Sequence, residues 1–137
     1  MAVTANSIVT PQTPKSNVVS LATANTNYTP AGVTNSVLLV TAGANGGRLT
    51  KLQAIPAATV STANQIQMFR SLDSGVNKYF SDSVLMPIYS MAQNTQVPTT
   101  DFGYSDENPL ILSANERIYV GEGQSVTVNV VAEWADY

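Results

Sequence analysis

The sequence predicts an all-β protein: an antiparallel β-sandwich, jelly-roll-like, preceded by an extended N-terminal arm. Three observations carry this. From Val37 onward, short apolar runs alternate with turn residues, no apolar spacing of three and four lasts long enough for a helix, and the final run alternates apolar with polar side chains. At 137 residues the chain is the size of one domain, so the expected division is an arm over 1–36 and a sandwich over 37–137.

Residues 1–36 are dominated by Thr, Asn, Ser, Ala and Val, with Lys15 as the only charge. Pro11, Pro14 and Pro30 disfavour helix and central strand. Ile8-Val9 and Val18-Val19-Ser20-Leu21 have enough β-branched and apolar character for short strands that lie on something else. Val37–Val40 is the first body strand. Gly43-Ala44-Asn45-Gly46-Gly47 is its turn, and the stretch lacks the Gly-Lys-Ser/Thr ending of a phosphate loop. Arg48–Ala54 returns as a strand that Ile55-Pro56 ends. Gln65–Met68 alternates like a half-buried strand, Asp73-Ser74-Gly75 turns the chain, and Tyr79-Phe80 with Val84–Met86 forms one or two further strands. A long ordered loop is expected between Pro87 and Asn108. Leu110–Leu112 and Arg117–Val120 follow, separated by a bend at Ser113–Glu116. In the last strand Val126, Val128, Val130, Ala132 and Trp134 share one face.

Charged residues make up only 11% of the chain, against about 25% in an ordinary soluble domain. The polar surface therefore comes from neutral groups that repel one another little, which favours packing of surface on surface. The net charge is −3 and the six basic residues are scattered, so no stripe exists to neutralise a phosphate backbone and nucleic acid is not an expected partner. No run is long and apolar enough for a membrane span, and Met1–Asn6 does not resemble a signal peptide. The chain is expected to be made and kept in the cytoplasm until it assembles.

With no histidine and no cysteine, Ser-His-Asp and Cys-His catalysis and His- or thiolate-held metals are excluded. No cofactor is expected, and the chain is read as a non-enzyme. Paired carboxylates could still run glycoside hydrolysis, with Asp101, Asp106, Glu107, Glu116 and Glu122 as the candidates. The simpler reading makes Asp106–Pro109 a turn and Glu116 and Glu122 solvent-facing strand ends. Asn27-Tyr28-Thr29 matches a glycosylation acceptor, relevant only to a secreted chain. The aromatic set Tyr79, Phe80, Tyr89, Phe102, Tyr104, Tyr119 and Trp134 could form a sugar-stacking platform if several share an exposed face, with Tyr89, Phe102, Tyr104 or Trp134 as the stacking residues, although such residues more often anchor cores.

The stretch Val37–Thr50, the run Gln67–Ser71, and the ending Asn115–Gly121 with Glu133–Tyr137 resemble small structural proteins of tailed bacteriophages and prophages, of the kind that decorate or cement a capsid. The resemblance implies a virion location, self-association as a homotrimer and contacts to the major capsid protein. A tail or head-to-tail component and a carbohydrate-binding adhesion module are the alternatives. It lends no catalytic residue. The expected interface lies in the arm, at Ile8, Val9, Val18, Val19 and Leu21, which could add a strand to a neighbour's sheet edge.

Overall fold

The computed structural model describes residues 12–137. Among them are nine strands and no helix: β1 (Thr13–Leu21), β2 (Val37–Thr41), β3 (Gly47–Pro56), β4 (Asn64–Ser71), β5 (Tyr79–Met86), β6 (Thr100–Asp101), β7 (Leu110–Leu112), β8 (Arg117–Glu122) and β9 (Val128–Asp136). They form two antiparallel sheets. One runs β1-β9-β3-β6, with β7 also on β3, and the other runs β2-β8-β4-β5. The pairing has a simple rule: β1 with β9, β2 with β8, β3 with β7 and β6, β4 with β5. The first four strands thus pair in order with the later ones taken in reverse, as in one long hairpin wound on itself.

The two inner faces close on a single core. Val128, Val130, Ala132 and Trp134 enter it from β9, Ile66 and Met68 from β4, and Ile118 and Val120 from β8, following the two-residue period of a strand. Two bulges reset that period. In β3 the register with β9 shifts between Leu49 and Lys51, so Leu49 and Leu52, three apart, both reach the core. In β2 a shift between Leu38 and Val40 lets the consecutive Leu39 and Val40 both be buried.

The glycine cluster is a turn, as its composition predicts. Gly46 has φ 78°, and a Cβ there would lie 2.4 Å from the Leu112 carbonyl oxygen, so no other residue fits without moving backbone. Gly43 donates its N–H to Asp136 Oδ1 at 3.0 Å, and Lys15 Nζ reaches Asp136 Oδ2 at 2.7 Å. These contacts tie the turn to the two strands beside it.

The first 36 residues do not stand apart from the sandwich where they are described. Thr13–Leu21 pairs with β9 along its whole length. The connection over 22–36 then crosses the outer face of the second sheet, where Val33 packs on Phe69 and Tyr119 as a small second core. The chain uses this connection to cover a sheet face that would otherwise expose two large aromatic rings.

Candidate functional site

The expected interface positions divide. Ile8 and Val9 lie outside the described residues. Leu21 is 2% exposed in the core of its own subunit and cannot dock a neighbour while the sandwich is intact, and Val19 is half-buried against that core. Val18 is 58% exposed on the outer face.

Strand addition at β1 meets two obstacles. The Val18 N–H donates to its neighbour Asn17 Oδ1 at 2.9 Å, so it faces away from β9 and is already occupied. Asn17 Nδ2 donates in turn to the Leu39 carbonyl oxygen at 3.0 Å, closing the gap to β2. Pro14, four residues before Val18 and so on the same outward side of the ladder, has no N–H to offer. An edge of the second sheet repeats the device. The Ser83 N–H of β5 donates to Asp82 Oδ1 at 2.8 Å, and β5 is bulged where its register with β4 shifts between Met68 and Phe69. Edges blunted in this way resist pairing with other strands.

The aromatic residues expected at the surface are largely committed elsewhere. Phe102 and Tyr104 pack against the core. The Tyr104 hydroxyl donates to Asp82 Oδ2 at 2.8 Å, and burial, with that bond second, pushes its pKa well above the ordinary tyrosine value. The Tyr89 hydroxyl is bonded to Thr95 Oγ1 and donates to the Gln96 carbonyl oxygen. Trp134, 7% exposed, is a core side chain. The four therefore form no stacking platform. Among aromatics the exposed pair is instead Tyr28 and Phe80, whose ring centroids are 4.7 Å apart. Phe80 belongs to the aromatic set that the sequence offers, whereas Tyr28 does not, because only the fold of the 22–36 connection brings it onto β5.

Two carboxylates require correction. Glu116 and Glu122 are buried, not solvent-facing. Glu116 takes a two-pronged ion pair from Arg70, through Nε to Oε2 and through Nη2 to Oε1 at 2.9 Å, and also accepts the Ser113 N–H at 2.9 Å. Arg70 Nη2 also donates to the Ile111 carbonyl oxygen at 3.0 Å, so one guanidinium links β4 to β7 across the sandwich. Glu122, at the opposite end of the interior, accepts Asn64 Nδ2 at 3.0 Å and the Val126 N–H at 3.3 Å. Burial raises its pKa, and those two bonds oppose the rise only in part. Glu116 and Glu122 therefore hold structure, each engaged by partners of its own. Among the described residues no three His, Cys, Asp or Glu side chains group as metal ligands, and no helix is long and apolar enough to cross a membrane.

The raised pKa of Glu122 gives a pH prediction with a definite sign. Between the ordinary glutamate pKa of the unfolded chain and the higher folded value, the folded state binds more protons. Stability from this group is therefore complete at low pH, is lost as pH rises through that window, and is level above it. Glu122→Gln should remove this decline, so the variant gains on the parent as pH rises from about 4. Urea unfolding over a pH series reads it directly, and parallel curves for the two proteins would refute it.

A surface groove of about 630 Å³ is bounded by Pro14, Ser16, Arg48, Thr50, Asp106 and Glu133. At its rim Arg48 Nη2 donates to the Asp106 carbonyl oxygen at 2.8 Å, and Lys51 reaches Glu133 at 3.4 Å. Exposed apolar side chains are more prominent, with Leu72 and Val76 about 70% exposed on the β4–β5 turn and Leu85 and Ile88 on and just after β5. That turn is rigidly built. The Asp73 carboxylate accepts the Ser71 hydroxyl and both the backbone and side-chain N–H groups of Asn77, and the Asn77 bonds foremost hold its pKa below the ordinary range. No protein-family model, curated protein or solved structure matches the chain.

Proposed function

We propose that the chain is a structural protein of a tailed-phage virion, a capsid decoration or cement protein that stabilises the head shell by self-association as a homotrimer and by contacts to the major capsid protein. The observation that carries this reading is a surface poor in charge that nevertheless holds large apolar side chains outward. Leu72 and Val76 project from a turn fixed by Asp73, and ordered apolar projections of this kind suit an interface better than free solvent. The capped edges of β1 and β5 favour assembly through faces and turns over strand exchange. The hairpin-like strand order supports the jelly-roll reading of the sandwich, an architecture used by capsid and lectin domains among others.

Light scattering on the full chain tests self-association, and co-sedimentation with purified phage heads tests the shell contact. A trimeric mass that falls to monomer in the double variant Leu72→Ser/Val76→Ser, together with sedimentation on heads, is the expected result. Rings or tubes in place of trimers would favour a tail or head-to-tail role. A monomer at every concentration that also ignores heads would end the proposal.

A further inference from the structure

We propose that the outer face of the second sheet carries a binding site for a neutral saccharide, built on Tyr28 and Phe80 and independent of the virion reading above. The register places Leu85 opposite Gln65, Ser83 opposite Gln67 and Phe80 opposite Phe69. Gln67 and Phe69 lie beneath the 22–36 connection, where Gln67 is bonded to Asn25, so Leu85, Ser83 and Phe80 share that outer face. Tyr28, brought in by the same connection, stands 45% exposed against Phe80 at 39%.

Both rings are held before any ligand arrives. Phe80 is backed by the buried Phe69 ring at 5.5 Å between centroids, and the Tyr28 hydroxyl donates to Gln65 Oε1 at 2.6 Å. Gln65 Oε1 also accepts Gln67 Nε2 at 3.1 Å. With its oxygen taken twice, the Gln65 amide is fixed in orientation, and its two Nε2 hydrogens have no partner among the described residues.

The chemistry of the patch selects the ligand. Ring faces carry negative π density and attract the weakly positive C–H face of a pyranose, while an amide donor beside them can meet its hydroxyl oxygens. The neighbouring charges are engaged within the protein: Asp82 accepts the Tyr104 hydroxyl, and Lys78 Nζ lies 4.4 Å from the centre of the Tyr119 ring and donates to Ser36 Oγ. A neutral ligand leaves both of these arrangements intact. Size points the same way. From the exposure of the two rings and Leu85, the apolar patch offers roughly 300 Å², enough for one or two sugar rings. A stable contact with a second copy would require about 800 Å² per partner.

The test is a titration of the full chain, followed by NMR at the Gln65 side-chain amide and the aromatic rings, with maltohexaose, cellohexaose and chitotetraose as probes. The expected result is saturable shifts at Gln65, Tyr28 and Phe80 with at least one probe, at a Kd near 1 mM or below, and binding about tenfold weaker in Tyr28→Ala and in Phe80→Leu. Phe80→Leu keeps apolar bulk and so tests the ring without emptying the site. Absence of shifts with all three probes overturns the proposal, as does binding that Phe80→Leu leaves unchanged. Shifts of these same resonances with protein concentration alone would assign the face to a second copy and also overturn it.

Discussion

Arg70→Ala is expected to lower stability by about 3 kcal/mol, because it leaves the Glu116 carboxylate buried with its charge unmatched. Glu116 is 1% exposed and has only the Ser113 N–H as its remaining described partner. Arg70 is itself about one-third exposed, so the lower end of the range for breaking a buried pair applies. The fall in melting temperature should be near 10 °C for a chain of this size. The double variant Arg70→Met/Glu116→Leu should recover most of the loss, since removing both charges also removes their desolvation cost. Calorimetry on the three proteins decides the matter: a double variant no better than Arg70→Ala would show that the pair contributes more than charge balance.

Phe69→Ala should cost about 3–4 kcal/mol, the usual scale for emptying a fully buried aromatic site. Its effect would also be localised. Phe69 is the centre of the second core, touching Val33 and Tyr119, and it supports Phe80. Amide hydrogen exchange should therefore rise over 22–36 ahead of β3 and β9, which belong to the main core. A uniform rise over both sheets would mean that the connection is not a separate layer but an inseparable part of the sandwich.

How much could be read from the sequence follows from what kind of information each element carries. β9 was legible because its side chains alternate, and alternation is written in one dimension. Pro56 closing β3, the glycine turn at Gly43–Gly47 and the bend at Ser113–Glu116 were legible for the same reason, since local backbone chemistry sets them. β1 is not legible as a strand of the sandwich, because most of its residues are exposed and it is held mainly by backbone pairing with β9, which no residue type records. Glu116 and Glu122 looked like solvent-facing ends because the residues that satisfy them, Arg70 and Asn64, lie 46 and 58 positions away. The bulge at Thr50 and the Tyr28–Phe80 pair were hidden in the same way, being products of register and of a crossing connection.

The order in which the strands pair also governs when the protein can fold. Of the described strands β1 is made before the others and its partner β9 after them, and the Ala24 N–H finds the Ser125 hydroxyl across 101 positions of chain. The first sheet therefore cannot close until β9 has been made, since β9 is the strand that joins β1 to β3. Loop-closure entropy must be met before distant pairings give anything back, so folding should be slow for a chain of this length. During that wait β1 and β3 lack the strand that joins them and the apolar face of the second sheet is uncovered, which makes the nascent chain a client for chaperones and prone to aggregate. Once β9 docks, both halves lock together at once, and a chain cut short before Val128 should yield no partly folded sandwich at all.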